Sequence, residues 1–215
     1  HLLVPVIVSI LLNEIQSNAF RRISQTLIYL PHFLSWIILA GIMIDLLSPN
    51  GGLVNRFLGL FGAEPIFFLG SNKWFRFTLV FTDVWKEFGF GTIVYLAAIT
   101  NIDPTQYEAA TIDGANRFQR IMHVTVPNMR MIIVLMMVLS LGNVLNAGFD
   151  QVYNMYSEAV YSTGDILDTF IYRLSFKNGL WGQSAAVSMF KSVVSTLFIS
   201  VSYLCAYKFA DYRVF

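Results

Sequence analysis

Four apolar segments, Leu27 to Leu47, Phe75 to Thr100, Asn128 to Phe149 and Ser184 to Tyr207, dominate this chain. Each is long enough to cross the hydrocarbon of a bilayer, which takes about 20 residues of helix. Hydrocarbon offers no water to an open backbone, so a crossing segment has to satisfy its own N–H and C=O groups as a helix. The expectation is an all-α, polytopic transmembrane helix bundle. Only 13% of residues are charged and mean hydropathy is +0.61, against about 25% charged in an ordinary soluble domain. A net charge of +1 supplies no field to recruit nucleic acid. The lone Cys205 has no partner for an intrachain disulfide or a multi-cysteine metal site.

The chain opens at His1 and runs at once into LLVPVIVSILL, eleven apolar residues with a proline among them. That run is too short to span alone and lacks the charged front of a signal peptide. We expect a fragment whose first span is incomplete and is preceded by at least one more. Residues 1–215 read as a single transmembrane domain.

Arg21, Arg22, Arg117, Arg120, Arg130, Lys208 and Arg213 would share one side; Arg56, Lys73, Arg76, Arg173 and Lys177 would share the other. The positive-inside rule then places the first group, and the 101–127 loop, in the cytoplasm. On the outer side Tyr153, Tyr156, Tyr161, Tyr172 and Trp181 suit either a headgroup belt or a docked partner. Residues 48–56, SPNGGLVNR, carry a turn signal. Residues 165–176 predict a helix capped by Asp165, with Ile166, Phe170, Ile171 and Leu174 on one face.

The 101–127 loop is polar inside an apolar chain. Asp103 can cap a helix, Pro104 suits its first position and Gln106 stands three after the cap. Gly114 stops that helix by offering a left-handed backbone. A second helix can run from Asn116 with Phe118, Ile121, Met122 and Thr125 on one face, and Pro127 would begin the next span. By physics alone this elbow either rests on lipid or receives another protein against Ala109, Ala110 and Ala115, with Glu108 free to pair with a cation.

Within the spans, charge is costly and faces the bundle interior or a wet cavity. Asp83, Lys86, Glu87 and Phe90 fall on one helical face, as would Ser140, Asn143 and Asn146, while Lys191 stands near the middle of the last span. Two readings stay open for the charges: pairing among themselves, or contact with a solute. Amides such as Asn143 and Asn146 both donate and accept, which suits sugar hydroxyls.

The pattern Glu108-Ala109-Ala110, Gly114-Ala115, Phe118, Ile121 and Pro127 resembles the EAA loop of binding-protein-dependent ABC importer permeases. FRRISQTLIYLP at 20–31, GGLVNRFLG at 51–59 and WKEFGFGTIVYLAAI at 85–99 extend the likeness over most of the chain, nearest to sugar-uptake permeases of the maltose and complex-polysaccharide type. Phe118 stands where that family often has tryptophan, and Val126 where leucine is usual.

The resemblance implies a type I importer permease core in a bacterial inner membrane, and a cytoplasmic coupling helix docked on an ATPase. It implies that Glu108, Ala109, Ala110, Gly114, Ala115 and Phe118 make that joint. It also extends a sugar path to Asp83, Glu87, Phe90, Ser140, Asn143 and Asn146. Expected partners are a second permease, two ATPase subunits carrying ATP and magnesium, an extracytoplasmic solute-binding protein and membrane lipid.

The chain itself would bind no cofactor and catalyse nothing: it has no phosphate-binding glycine loop and no HExxH pair, and His1, His32 and His123 are scattered. Lys86 and Lys191 raise an acidic oligosaccharide such as alginate as cargo, unless they only neutralise Asp83 and Glu87. The rival transport class, an ion-coupled secondary transporter, would use Asp83, Glu87 or Lys191 and need no ATPase.

Overall fold

Proline and serine positions decide where the apolar runs become separate helices. In a computed structural model, which describes residues 2–210, the helices are α1 (Leu3–Asn13), α2 (Asn18–Tyr29), α3 (Trp36–Leu47), α4 (Leu53–Gly59), α5 (Phe75–Thr100) and α6 (Pro104–Ile112). They continue with α7 (Arg117–Arg120), α8 (Val126–Gly142), α9 (Phe149–Met155), α10 (Tyr161–Gly164), α11 (Leu167–Tyr172) and α12 (Trp181–Ala210). There is no strand among the described residues. The expectations placed on His1 and Arg213, and on the side chains of Cys205 and Lys208, lie outside the described residues.

Two expected spans are drawn differently. The Leu27 to Leu47 segment is not one helix: α2 passes into a 3-10 turn, Leu30–Phe33, and α3 starts afresh at Trp36. Pro31 has no N–H to continue the ladder, and the Ser35 hydroxyl accepts from Ile38 N–H at 3.3 Å, capping the new helix.

The segment expected over Asn128 to Phe149 instead runs from Arg117 to Gly142. Pro127 sits inside it rather than at its start. A π-helical turn at Ile121–Thr125 precedes the proline, and its wider spacing takes up the lost hydrogen bond and the ring's clash with the preceding turn. Beyond Gly142 the chain turns, with Asn146 N–H on the Asn143 carbonyl at 2.9 Å.

By length and composition Arg117–Gly142 and Trp181–Leu204 can each cross a membrane, and α2 with α3 makes a third if taken as one broken span. Helix α5 has 26 residues, about 39 Å at 1.5 Å per residue, but Asp83, Lys86 and Glu87 dilute its apolar character. Outward-facing Phe77, Phe81, Val193 and Leu197 are each about 60% exposed, as suits helices solvated by lipid.

The residues form two compact units. One comprises His1–Phe33, Val84–Gly142 and Leu197–Phe215. Its core is Tyr95, Ile99, Ile102, Val124 and Met129, against which Tyr107 and Ala110 of α6 pack. Helices α2 and α5 touch through Gly89: a Cβ there would lie 1.8 Å from the Ile28 carbonyl oxygen, so no larger residue fits.

The other unit comprises Leu34–Asp83 and Asn143–Thr196, with a core of Ala40, Leu69, Phe75, Met155 and Val160. Two buried amides fasten it. Asn55 donates to the Leu47, Ser48 and Ile66 carbonyls and accepts from Ile66 N–H at 2.8 Å. Gln151 donates to the Leu79 carbonyl and to Thr82 Oγ1, both at 2.8 Å. Buried amides so satisfied hold their segments in one register, because any slip leaves a polar group unpaired.

Candidate functional site

The elbow between α5 and α8 is fixed from its own residues outward. The Asp103 carboxylate accepts from Thr105 N–H at 2.9 Å and Pro104 opens α6, as the spacing predicts. That backbone hydrogen bond holds the Asp103 carboxyl below the ordinary carboxylate range. Gly114 takes φ +78°, the left-handed turn that ends α6. Ala115 N–H then returns to the Ala110 carbonyl at 2.9 Å.

Asn116 and Gln119 form a reciprocal capping box at 2.8 and 2.9 Å that starts α7. Gln106 does not make the box expected of it. Its side-chain oxygen accepts from Asn128 Nδ2 at 2.8 Å, tying α6 to the start of α8.

Three side-chain bonds hold the elbow as a body. Tyr107 Oη meets Thr125 Oγ1 at 2.9 Å, Arg120 donates to Thr111 Oγ1 at 3.0 Å, and Asn128 joins Gln106 as above. The face expected to group Phe118, Ile121, Met122 and Thr125 is divided. The π turn brings Val124 and Thr125 inward, and Phe118 and Met122 stay outside.

What remains exposed is an apolar ridge, Ile112 at 87% and Phe118 at 70%, beside exposed Glu108, Ala109 and Gly114. Ala110 and Ala115 are half-buried. A polar stretch kept only for solubility would hide these apolar side chains; here the turn thrusts them out.

The in-span charges form two clusters, one in each unit. In the first, Lys86 is buried and donates to Glu87 Oε1 and to the His32 carbonyl, both at 2.9 Å. Glu87 Oε2 lies 2.8 Å from His32 Nδ1, and the His32 ring stacks on Phe90 with centroids 4.0 Å apart. So Lys86, Glu87 and Phe90 share a face as predicted, but they gather around His32. Asp83 belongs to the other unit. The pairing of Lys86 with Glu87 occurs within α5 rather than between helices. His32 escaped the sequence reading as a member of this group; a titratable residue beside Pro31 in an apolar run was the available signal.

The second cluster surrounds Lys191 of α12. Its ammonium donates to Asp168 Oδ1 at 2.6 Å and to Asn146 Oδ1 at 2.9 Å. These three residues border a cavity of about 460 Å³. Asp168 was not anticipated, and nothing local could have flagged a partner 23 positions away. Ser140, Asn143 and Asn146 do not form the expected common face: Ser140 is on α8, while Asn143 and Asn146 lie in the turn after it. Asn146 donates to Asn143 Oδ1 at 3.3 Å.

On the outer loop Asp165 does not cap the predicted helix. Its two oxygens take both ends of the Arg173 guanidinium, one at 2.9 Å, and one also accepts from Thr169 Oγ1 at 2.6 Å. Burial pushes the Asp165 carboxyl up, but Arg173 and Thr169 outweigh it and hold the group below the usual range. The helix itself is shorter than expected and runs on as a π turn at Arg173–Lys177. No group of three or more metal-ligating side chains occurs among the described residues.

Residues 2–214 match the family described as binding-protein-dependent transport system inner membrane component. The chain is 38% identical over 212 residues to the polygalacturonan/rhamnogalacturonan transport system permease protein YteP of Bacillus subtilis, covering 99% of this chain and 66% of that protein. It is 40% identical over 211 residues to protein LplB of the same organism, again covering 66% of that protein. It thus spans just under two thirds of both relatives.

A crystal structure of a bacterial ABC transporter involved in the import of the acidic polysaccharide alginate superposes with a TM-score of 0.93 at 36% identity, covering 97% of this chain and 73% of that one. A second structure, of a bacterial alginate ABC transporter in complex with an alginate pentasaccharide-bound periplasmic protein, gives 0.91 at 36% identity over 95% and 71%.

Proposed function

We propose that this chain, which belongs to the family of binding-protein-dependent transport system inner membrane components, is the permease subunit of an ATP-driven importer of sugars or oligosaccharides. It forms part of the translocation path and performs no chemistry. A separate pair of ATPase subunits supplies hydrolysis, holding ATP and magnesium. A second permease completes the path, and an extracytoplasmic solute-binding protein delivers cargo. The chain crosses the bacterial cytoplasmic membrane several times, with the elbow on the cytoplasmic side.

The observation that carries this reading is the elbow's exposed ridge of Ile112 and Phe118, held rigid by Tyr107, Gln106 and Arg120 at the entrance of a membrane-spanning helix. An apolar ridge on a rigid, locally capped turn suits a groove in another protein, where large side chains fill pockets and act as anchors. Glu108, Ala109, Ala110, Gly114 and Ala115 complete the joint: the alanines let the partner's backbone approach, and Gly114 sets the turn. Motion of the ATPases then moves α6 and, through the Asn128 to Gln106 bond, the start of α8.

An ion-coupled carrier would need no such ridge. The test is to purify the full-length protein in detergent from its native membrane beside Gly114→Asp and Glu108→Lys variants, identify the co-purifying subunits and assay ATP hydrolysis. ATPase and a second permease should accompany the native chain, with the ATPase lost or uncoupled in the variants. A native chain that purifies without any ATPase would sink the reading.

A further inference from the structure

The cavity beside Lys191 has a one-sided chemistry. Ser188 and Ser192 line it, but each donates its hydroxyl proton to a carbonyl one turn back, Ser184 at 2.9 Å and Ser188 at 3.0 Å. Their oxygens are left as acceptors, which suit the hydroxyl protons of any sugar and repel a carboxylate. Lys191 is the one cation in the lining. An ammonium has three donors; Asp168 and Asn146 each occupy one.

Resting on the importer reading, we propose that Lys191 recognises a carboxylate of the cargo and that Asp168 holds its place when no cargo is bound. The substrate class is a hexuronate oligomer. Three features support this. First, Lys191 and Asp168 come from different helices, α12 and α11, so their contact can open without unwinding either. Second, the Lys191 side chain is 15% exposed and that of Asp168 is 25% exposed; the carboxylate is the member that can turn to water once released.

Third, stripping Lys191 of its counter-charge without replacement leaves a poorly solvated cation, which is costly. A neutral sugar therefore cannot displace Asp168, whereas an acidic sugar exchanges one carboxylate for another. The serine oxygens meanwhile accept from the sugar's hydroxyls. Lys86 offers no such exchange, because its partner Glu87 is itself held by His32.

The proposal is tested on the assembled transporter, purified in detergent without its solute-binding protein, by equilibrium binding of trigalacturonate and of its fully methyl-esterified form. Trigalacturonate should bind more tightly than the ester. Lys191→Gln should weaken its binding by about tenfold, the scale of one lost charge-assisted hydrogen bond, with the ester unchanged. Asp168→Asn should tighten it severalfold by removing the competitor.

A purely structural ion pair would make both single variants weaker and the double variant close to native; if Lys191 binds cargo, the double variant stays weak and Lys191→Arg retains binding. Equal binding of acid and ester to the native assembly overturns the assignment, as does weakening by Asp168→Asn. Import by the same assembly in proteoliposomes is read separately: binding without ATP-driven import would count against the importer reading and leave the assignment of Lys191 standing.

Discussion

The elbow and the Lys191 cavity are made in opposite ways. The elbow is built by neighbours in sequence: Asp103 caps for Thr105, Asn116 for Gln119, and Gly114 turns the chain between them. The cavity is built by strangers, Asn146, Asp168 and Lys191, brought together from three segments. The first presents a fixed apolar ridge; the second presents a charge already answered by another charge. A permease needs both kinds of part. A joint to a motor must be rigid and indifferent to cargo, whereas a cargo contact must be exchangeable and selective.

The comparison can be broken most sharply at the ridge. Phe118→Asp and Ile112→Asp should lower ATPase retention and import by about tenfold or more, as for buried aromatic and aliphatic anchors, with helical content and trigalacturonate affinity unchanged. A parallel fall in cargo affinity would show that the two regions are not separable.

Gly89→Ala comes next. It forces a Cβ against the Ile28 main chain, and overpacking of this kind costs about 1–3 kcal/mol. The melting temperature in detergent should drop, and coupling should suffer before binding at Lys191 does. An unchanged melting curve would mean that α2 and α5 separate freely.

Tyr107→Phe removes the hydroxyl bond to Thr125, worth about 1 kcal/mol. Hydrogen exchange at α6 amides should quicken while those of α11 stay as they were; faster exchange at α11 would defeat the distinction.

The smallest effect near neutral pH belongs to Asp165. Its folded carboxyl titrates below its unfolded value, so its contribution to stability is complete above about pH 4, the ordinary aspartate value, and is lost as pH falls through the depressed folded value. Native protein should therefore lose an acid-side share of stability that Asp165→Asn lacks throughout. Identical acid limbs would remove the Arg173 pair from the outer loop's stability.

Legibility followed the same division. The helix starts at Asp103 and Asn116, the turn at Gly114 and the apolar bulk of α8 and α12 could be read directly, because caps and turns depend on residues within about four positions. The middle of the elbow was misread where Pro127 met the preceding turn: periodicity assumes a regular helix, and a π turn shifts every later side chain. The break at Pro31 was misread for the opposite reason, since an apolar run looks continuous whether or not its ladder is. Gln106 went to Asn128 instead of its own cap, a choice that only a packed neighbour offers.

By itself, then, the sequence determined that this chain lives in a membrane as helices and carries a locally specified polar elbow, since hydrophobic length and capping chemistry act over a few turns of backbone. Which charges answer which was left to tertiary structure. Glu87 finds His32 from 55 positions away and Lys191 finds Asp168 from 23. A poorly solvated charge takes whichever counter-charge packing brings within reach, and packing is a property of the whole fold.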